Sequence, residues 1–317
     1  MAAPNDNTGV TEHHSNLESV WTSDASSSLY SLESWNGRRY HSFKDGAYLL
    51  PNDDQELDRL DMHHHISLLM LDDKLSMAPI NKPQRVLDVG TGTGIWAIDF
   101  ADANESSFVI GTDLSAVQPR WVPPNLEFQI DDAEDIWSFH DQFDYIHIRS
   151  LAGAIGDWKR LFQQAHQHLK PGGWIEVQEH EALYQSETGS KENAPSINEW
   201  ADNLHAAAEK IGKPFLCLHT LESKIKETGF TNVEQKILKC PHGPWMEDPR
   251  KKVVGIYRRE HMMEAATSYG IAHFTRVLGW KPEEYQVLAS RVRKEMRDES
   301  LKLWSKFYII YAQKPVE

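Results

Sequence analysis

Three glycines at alternate positions, in Asp88-Val-Gly-Thr-Gly-Thr-Gly94, follow directly on the apolar run Arg85-Val-Leu-Asp-Val89. Glycine has no Cβ, so a turn of this kind brings bare backbone up against a ligand. The dinucleotide fingerprint G-x-G-x-x-G sets its third glycine one place later. The tighter spacing, with an acidic residue two places ahead of the first glycine, points to S-adenosylmethionine (SAM), held by Asp88, Gly90, Thr91, Gly92 and Gly94. The run Phe108-Val-Ile-Gly-Thr-Asp113 then reads as a second strand whose carboxylate falls 19 residues past Gly94. That is the distance at which such folds bind a ribose diol, so Asp113 takes that role with Leu114 beside it. Leu126-Glu-Phe-Gln-Ile130 reads as a third strand, followed by the acidic cluster Asp131 to Asp135. In SAM enzymes an Asp at this place accepts from the adenine amino group while the next N–H meets a ring nitrogen, which nominates Asp132 and Ala133; plain surface acid is the alternative. The amino-acid end of the cofactor needs donors for its carboxylate, and Tyr40, Tyr48 and Arg149 are placed to supply them. Packing beside Arg38 and Arg39 is the competing account of Tyr40.

A sulfonium methyl is already activated, so its transfer is an in-line displacement governed by alignment and desolvation. A hydroxyl or phenol acceptor would gain from a base, and His147, Glu179, His180 and His261 are the catalytic candidates. Candidates to line the acceptor pocket are Tyr184, Trp245, Tyr257, Met262, His273 and Phe274, each also open to a packing role. The triplet His63-His64-His65 does not suggest a metal site, because consecutive helical residues point about 100° apart. The pairs Arg258-Arg259 and Lys251-Lys252 read as solvated helix faces.

The elements that must position these residues alternate. Phe143-Asp-Tyr-Ile-His-Ile148 is a fourth strand, and Leu169 to Gln178 a helix end, a Lys-Pro-Gly-Gly turn and a fifth strand. Strand–helix units in series make a parallel sheet the default. Thr231 to Leu238 and Lys306 to Ala312 supply the sixth and last strands, with helices over 196–211 and 221–228. Apolar residues recur at helical spacing from Asn52 to Lys74, predicting helices ahead of the first strand that cover the cofactor mouth. The expected organisation is a mobile tail over 1–34, an N-terminal helical cover over 35–80, an α/β core over 81–238, a helical substrate lid over 239–305 and the final strand over 306–317. The tail is rich in Ser, Asn, Asp and Thr with few aliphatics; the lid interval is far too long for a loop.

The stretches Gly37-Arg-Arg-Tyr-His41, Leu50-Pro-Asn-Asp53, Glu56 to Asp61, Asp88 to Asp99, Gly111-Thr-Asp-Leu-Ser115, Trp121-Val-Pro-Pro-Asn125 and Leu278-Gly-Trp280 together resemble the LaeA-like methyltransferases of filamentous fungi, from about Trp35 to Lys314. The resemblance implies an α/β class I methyltransferase (Rossmann-like) fold, a seven-stranded mostly parallel sheet, with SAM as cofactor and S-adenosylhomocysteine (SAH) as product. Two functions follow from it. One is O-, N- or S-methylation of a small secondary metabolite; the other is a SAM-binding regulator of secondary metabolism acting through protein partners in the nucleus. A large apolar cavity under the lid would favour the first, and a shallow or filled one with an exposed apolar patch the second.

Composition narrows the partners. The chain has 317 residues, 40% of them apolar, enough for one large domain with an elaboration. A net charge of −14 disfavours nucleic acid as a partner. Two cysteines, Cys217 and Cys240, lack both CxxC spacing and a disulfide framework, as suits a reducing compartment. No run approaches the roughly 20 apolar residues of a membrane span, and no signal segment opens the chain. A cytoplasmic or nuclear protein that binds no membrane is expected.

Overall fold

The computed structural model describes residues 32–41, 44, 49–189 and 193–317. The expected tail up to residue 31, and Tyr48, lie outside the described residues. Chain order begins with a strand pair, β1 (Leu32–Trp35) and β2 (Arg38–His41), antiparallel to each other. Helix α1 (Asp54–Met70) follows. The core elements come next: β3 (Arg85–Val89), α2 (Ile95–Ala103), β4 (Phe108–Asp113), β5 (Leu126–Ile130), β6 (Phe143–Arg149), α3 (Trp158–His168) and β7 (Leu169–His180). After a two-residue strand, β8 (Gln185–Ser186), come α4 (Pro195–Lys210), α5 (Leu221–Glu227) and β9 (Thr231–Pro241). Helices α6 (Pro249–Ala272) and α7 (Pro282–Met296), joined by a π-helical turn at His273–Val277, precede β10 (Leu303–Gln313).

The long strands lie in the order β5-β4-β3-β6-β7-β10-β9, with β8 also paired to β10. The pairs among β3 to β7 are parallel, and β10 is antiparallel to its neighbours. Val86, Leu87 and Val89 are buried, as expected of a central strand covered on both faces. The start of β3 is fixed by a side chain: the Asp144 carboxylate accepts from the backbone N–H groups of Gln84 and Arg85, each at 2.8 Å. One face of the sheet packs on α3 and α5 through Trp158, Leu161, Phe162 and Ile225. The other packs on α1, α2 and α6 through Ile66, Trp96, Phe100 and Val254. A separate apolar cluster, with Trp200, Leu204, Met262, Phe274 and Leu288, ties α4, α6 and α7 together.

Two expectations change. Residues 35–41 belong to a hairpin and not to a helical cover, because the β2 residues pair with β1 and the Arg38 guanidinium clamps the Asp53 carboxylate that caps α1. Strands β9 and β10 also run further than expected, so the helical insertion between them spans 242–302. Helix α6 lies along α1: Gln55 Nε2 donates to Glu264 at 2.5 Å, and Arg250 Nε donates to the Leu69 carbonyl at 2.8 Å. Both cysteines are buried and free. Among the described residues no helix is long and apolar enough to cross a membrane.

The docking of α6 depends on a glycine. Gly243 N donates to the Gly255 carbonyl at 2.8 Å, and a Cβ on Gly255 would stand 1.9 Å from the Gly243 carbonyl oxygen. Gly255→Ala should lower stability by about 1–3 kcal/mol, the usual cost of overpacking against backbone, as read by urea unfolding. An unchanged midpoint would show that the helix shifts freely.

Candidate active site

A cleft of about 130 Å³ opens at the carboxyl ends of the parallel strands, where open α/β sheets bind ligands. Gly90, Gly92 and Gly94 have φ of 69°, 59° and 82°, values that favour glycine. A Cβ on Gly90 would stand 2.4 Å from Leu151 Cδ2, whereas one on Gly92 would meet only Leu60, at 3.6 Å. Gly92 N donates to Asp113 Oδ2 at 2.8 Å and Ser115 N to Asp113 Oδ1 at 2.9 Å, so the carboxylate at the end of β4 is held at the loop. Asp132 accepts from Lys44 Nζ at 2.7 Å and from Glu134 N at 2.9 Å, and both interactions pull its carboxyl below the usual range against its burial. Gly90, Thr91, Gly92, Asp113, Leu114, Asp132, Ala133 and Arg149 all line the cleft. Arg149 is half-buried, and its Nη2 donates to His64 Nδ1 at 3.0 Å, which leaves His64 Nε2–H to donate to Asp99 at 2.9 Å.

Three cofactor candidates do not face the cleft. Asp88 sits beneath the loop, accepting from Thr91 Oγ1 at 2.6 Å and bonded to His147 Nδ1 at 2.7 Å. Gly94 begins α2, its Cβ position blocked 2.3 Å away by the Phe128 ring. Tyr40 is 1% exposed, packed with Leu49 and Ala272 under the Arg276 guanidinium at 4.9 Å. Burial pushes its hydroxyl up to about 12.

Behind the cleft lies a second cavity of about 40 Å³, walled by β7, α1, α4 and α6. Glu179, His180, Tyr184, His261 and Met262 all line it, together with His63, Arg258 and Tyr269. His63 and Ser150 border both spaces. Burial holds His63, His180 and His261 well below the usual imidazole range, and the arginines nearby add to the effect.

A model described as a methyltransferase domain matches residues 62–235. The methyltransferase pytC of Aspergillus terreus is 40% identical over 92% of this chain and 90% of its own length. The secondary metabolism regulator laeA of Aspergillus fumigatus is 33% identical over 93% of this chain and 80% of its own. This chain belongs to the LaeA-like SAM-dependent methyltransferases. The class I fold agrees: a solved structure from Anabaena variabilis, described as a methyltransferase from an antibiotic biosynthesis pathway, superposes with a TM-score of 0.53 at 15% identity, covering 82% of this chain and 99% of that one.

In this methyltransferase several expected acceptor-site residues are structural. His147 is fully buried, stacked on Trp96 with ring centroids 3.7 Å apart, away from both spaces. Trp245 Nε1 donates to the Leu303 carbonyl at 2.9 Å, and Tyr257 stands at the surface against His65. His273 bonds the Tyr269 carbonyl at 2.6 Å, and Phe274 packs between Trp280 and Tyr285. The histidine triplet points three ways: His63 to the cavity, His64 to Arg149 and Asp99, His65 outward to Tyr257.

Reading the sequence missed Glu56 and His63 on α1, and Arg258 on α6, which is buried and not a solvated helix face. The signal for Arg258 was present. It falls on the stripe Val254, Met262 and Ala265 at intervals of three and four residues, all buried.

Burial pushes the Glu179 carboxyl up to about 8, although the N–H groups of Leu151 at 2.7 Å and Ala152 at 3.2 Å favour its charged form. The native state therefore keeps a proton that the unfolded chain releases near its ordinary value of 4.5. Stability from this group is complete below that value and falls as pH rises toward about 8, by up to about 5 kcal/mol. Urea unfolding of wild type and Glu179→Gln across this range should show the variant gaining on wild type as pH rises. Parallel curves would mean that the group ionises freely.

Proposed function

We propose that the protein transfers the methyl group of SAM to O, N or S of a small secondary metabolite. The observation that carries this reading is the junction of the two spaces at His63 and Ser150, which lets a sulfonium in the cleft face an acceptor in the cavity. In this reading the cleft takes the cofactor and the insertion 242–302 acts as the substrate lid on the α/β core. Asp113 accepts from the ribose hydroxyls, Asp132 and the Ala133 N–H meet the adenine, and the backbone of Gly90 to Gly92 passes along the ligand. Arg149, at the exit of β6, faces the amino-acid end. The chain's contribution is alignment and exclusion of water, since the donor brings its own activation.

For a hydroxyl or phenol acceptor, Glu179 is the base we favour among those lining the cavity. A carboxyl pushed up to about 8 by burial is matched to proton transfer at mildly alkaline pH. His180 and His261, neutral and enclosed, are the alternatives.

The relatives named as regulators of secondary metabolism keep a second reading in view, in which the protein binds SAM and acts through protein partners in the nucleus. The cavity is small, and Trp200, Phe215 and Met262 share its lining with the polar groups, so it does not choose between the two. A methyltransferase acting in the cytoplasm has no need of such partners.

Calorimetry with SAM tests the donor site. Gly92→Val should cost about tenfold or more in affinity, because its side chain can only grow into the cleft. Asp113→Ala should cost about 1.5–3 kcal/mol, the scale of charge-assisted hydrogen bonds. Undiminished binding in both folded variants, or NAD binding in preference to SAM, would overturn the assignment. The acceptor is found by mass spectrometry of fungal metabolite extracts incubated with the protein and deuteromethyl SAM. A labelled small molecule supports the enzyme, and label on protein alone or nowhere supports the regulator. With a phenolic acceptor, the rate should rise with pH to a plateau above about 8, and Glu179→Gln should remove that rise.

A further inference from the structure

Arg258, midway along α6, is 4% exposed and lines the inner cavity. Among the described residues no carboxylate lies within ion-pair distance of it. Its Nη1 stands 3.3 Å from His261 Nδ1, while Arg59 reaches the other ring nitrogen, Nε2. A guanidinium can only donate, and a neutral imidazole offers one acceptor. His261 is held neutral by its burial and by these two arginines, so it can satisfy only one of them.

Arg59 has other support, since Glu56 accepts from its Nε at 3.0 Å and its Nη2 at 2.5 Å. Arg258 has no such counter-charge, and its Nε is buried without a partner. An uncompensated buried cation is costly. The same cavity holds other buried donors without partners, the Tyr184 hydroxyl and the His180 ring. Of its two carboxyls, Glu179 accepts from the Leu151 and Ala152 N–H groups, and Glu181 reaches Lys306 at 3.8 Å and Tyr308 at 3.4 Å through Oε1 while its Oε2 is buried without a partner; neither pairs with Arg258. The complement missing from this set of donors is a planar anion.

We propose that the inner cavity is a carboxylate pocket, in which Arg258 forks onto a carboxylate of the methyl acceptor while Tyr184 and a ring N–H of His180 complete its hydrogen bonds. The planar guanidinium matches a carboxylate in bidentate fashion. The acceptor class is thus an organic acid, such as a hydroxy or phenolic acid. The proposal rests on the inner cavity being the acceptor site.

The full chain, saturated with SAH, is titrated calorimetrically with benzoate, benzamide and inorganic phosphate. Benzoate should bind about tenfold or more tighter than either of the others. Arg258→Met and Arg258→Gln should each lose that preference while their SAH affinity stays within about twofold. Arg258→Met should also melt at or above the wild-type temperature, because an apolar chain of similar length replaces an unpaired buried charge. Equal binding of benzoate and benzamide, preference for phosphate, no benzoate binding, or a preference that survives in the variants would overturn the proposal. So would a variant that melts well below wild type, since the guanidinium would then be structural. Failure of the wild-type chain to bind SAH would instead strike the reading of the donor cleft.

Discussion

A buried carboxylate holds the glycine turn of this protein in shape. Asp88, 3% exposed near the end of the central strand, accepts from the Thr91 hydroxyl and is bonded to the His147 ring. A carboxylate in that position needs partners to offset its desolvation, and both of these bind it to neighbouring structure. Thr91 fixes the glycine turn from inside, and its own N–H donates to the Thr112 carbonyl at 2.8 Å. His147 pairs with Asp88 in the strand register and stacks on Trp96 of α2. One side chain therefore links β3, β6, the turn and the helix that follows it. The residue that seemed a cofactor ligand shapes the surface a cofactor would meet.

The central sheet was legible because its signals are local. Apolar runs ending in acid and glycines at fixed offsets each follow from the geometry of a few neighbouring residues; the expected Lys-Pro-Gly-Gly turn instead falls within β7. Helix α2 has equally local bounds, since Gly94 in the left-handed region starts it and Asn104 ends it. The Asp88–His147 pair was not legible, because 59 residues separate its members and only strand register brings them together. The hairpin at 32–41 escaped for a different reason: its pairing is local, Leu32 with His41 and Trp35 with Arg38, but four-residue strands leave no period to read.

The inner cavity was harder to read than the cleft. Two of its walls are helices α1 and α6, whose facing surfaces carry Glu56, Arg59, His63, Arg258 and His261 where a core stripe would carry aliphatic residues. Hydrophobic periodicity treats such residues as outward-facing, so a polar interface between two helices reads as two solvated faces. Tyr257 and Trp245 looked like pocket residues for the converse reason. They are large and aromatic, but one lies on the outer side of α6 and the other is spent on the Leu303 carbonyl.

The wall between the two spaces is the segment after β6. Ser150 borders both, Leu151 the cleft and Ala152 the cavity. Ser150 has φ of 60°, a strained value for a residue with a side chain, costing about 1–2 kcal/mol. It is held there by its N–H donating to the Gln178 carbonyl at 3.1 Å and by Glu179 receiving the next two N–H groups. In the proposed reading the wall separates donor from acceptor, and because in-line transfer tolerates little error in their distance it would have to be rigid. Glu179 thus has two effects that pull against each other. Its charged form grips the wall more tightly, while its burial favours the neutral form. Any proton taken from an acceptor would resolve that conflict toward the neutral carboxyl and loosen the wall at the moment the product forms.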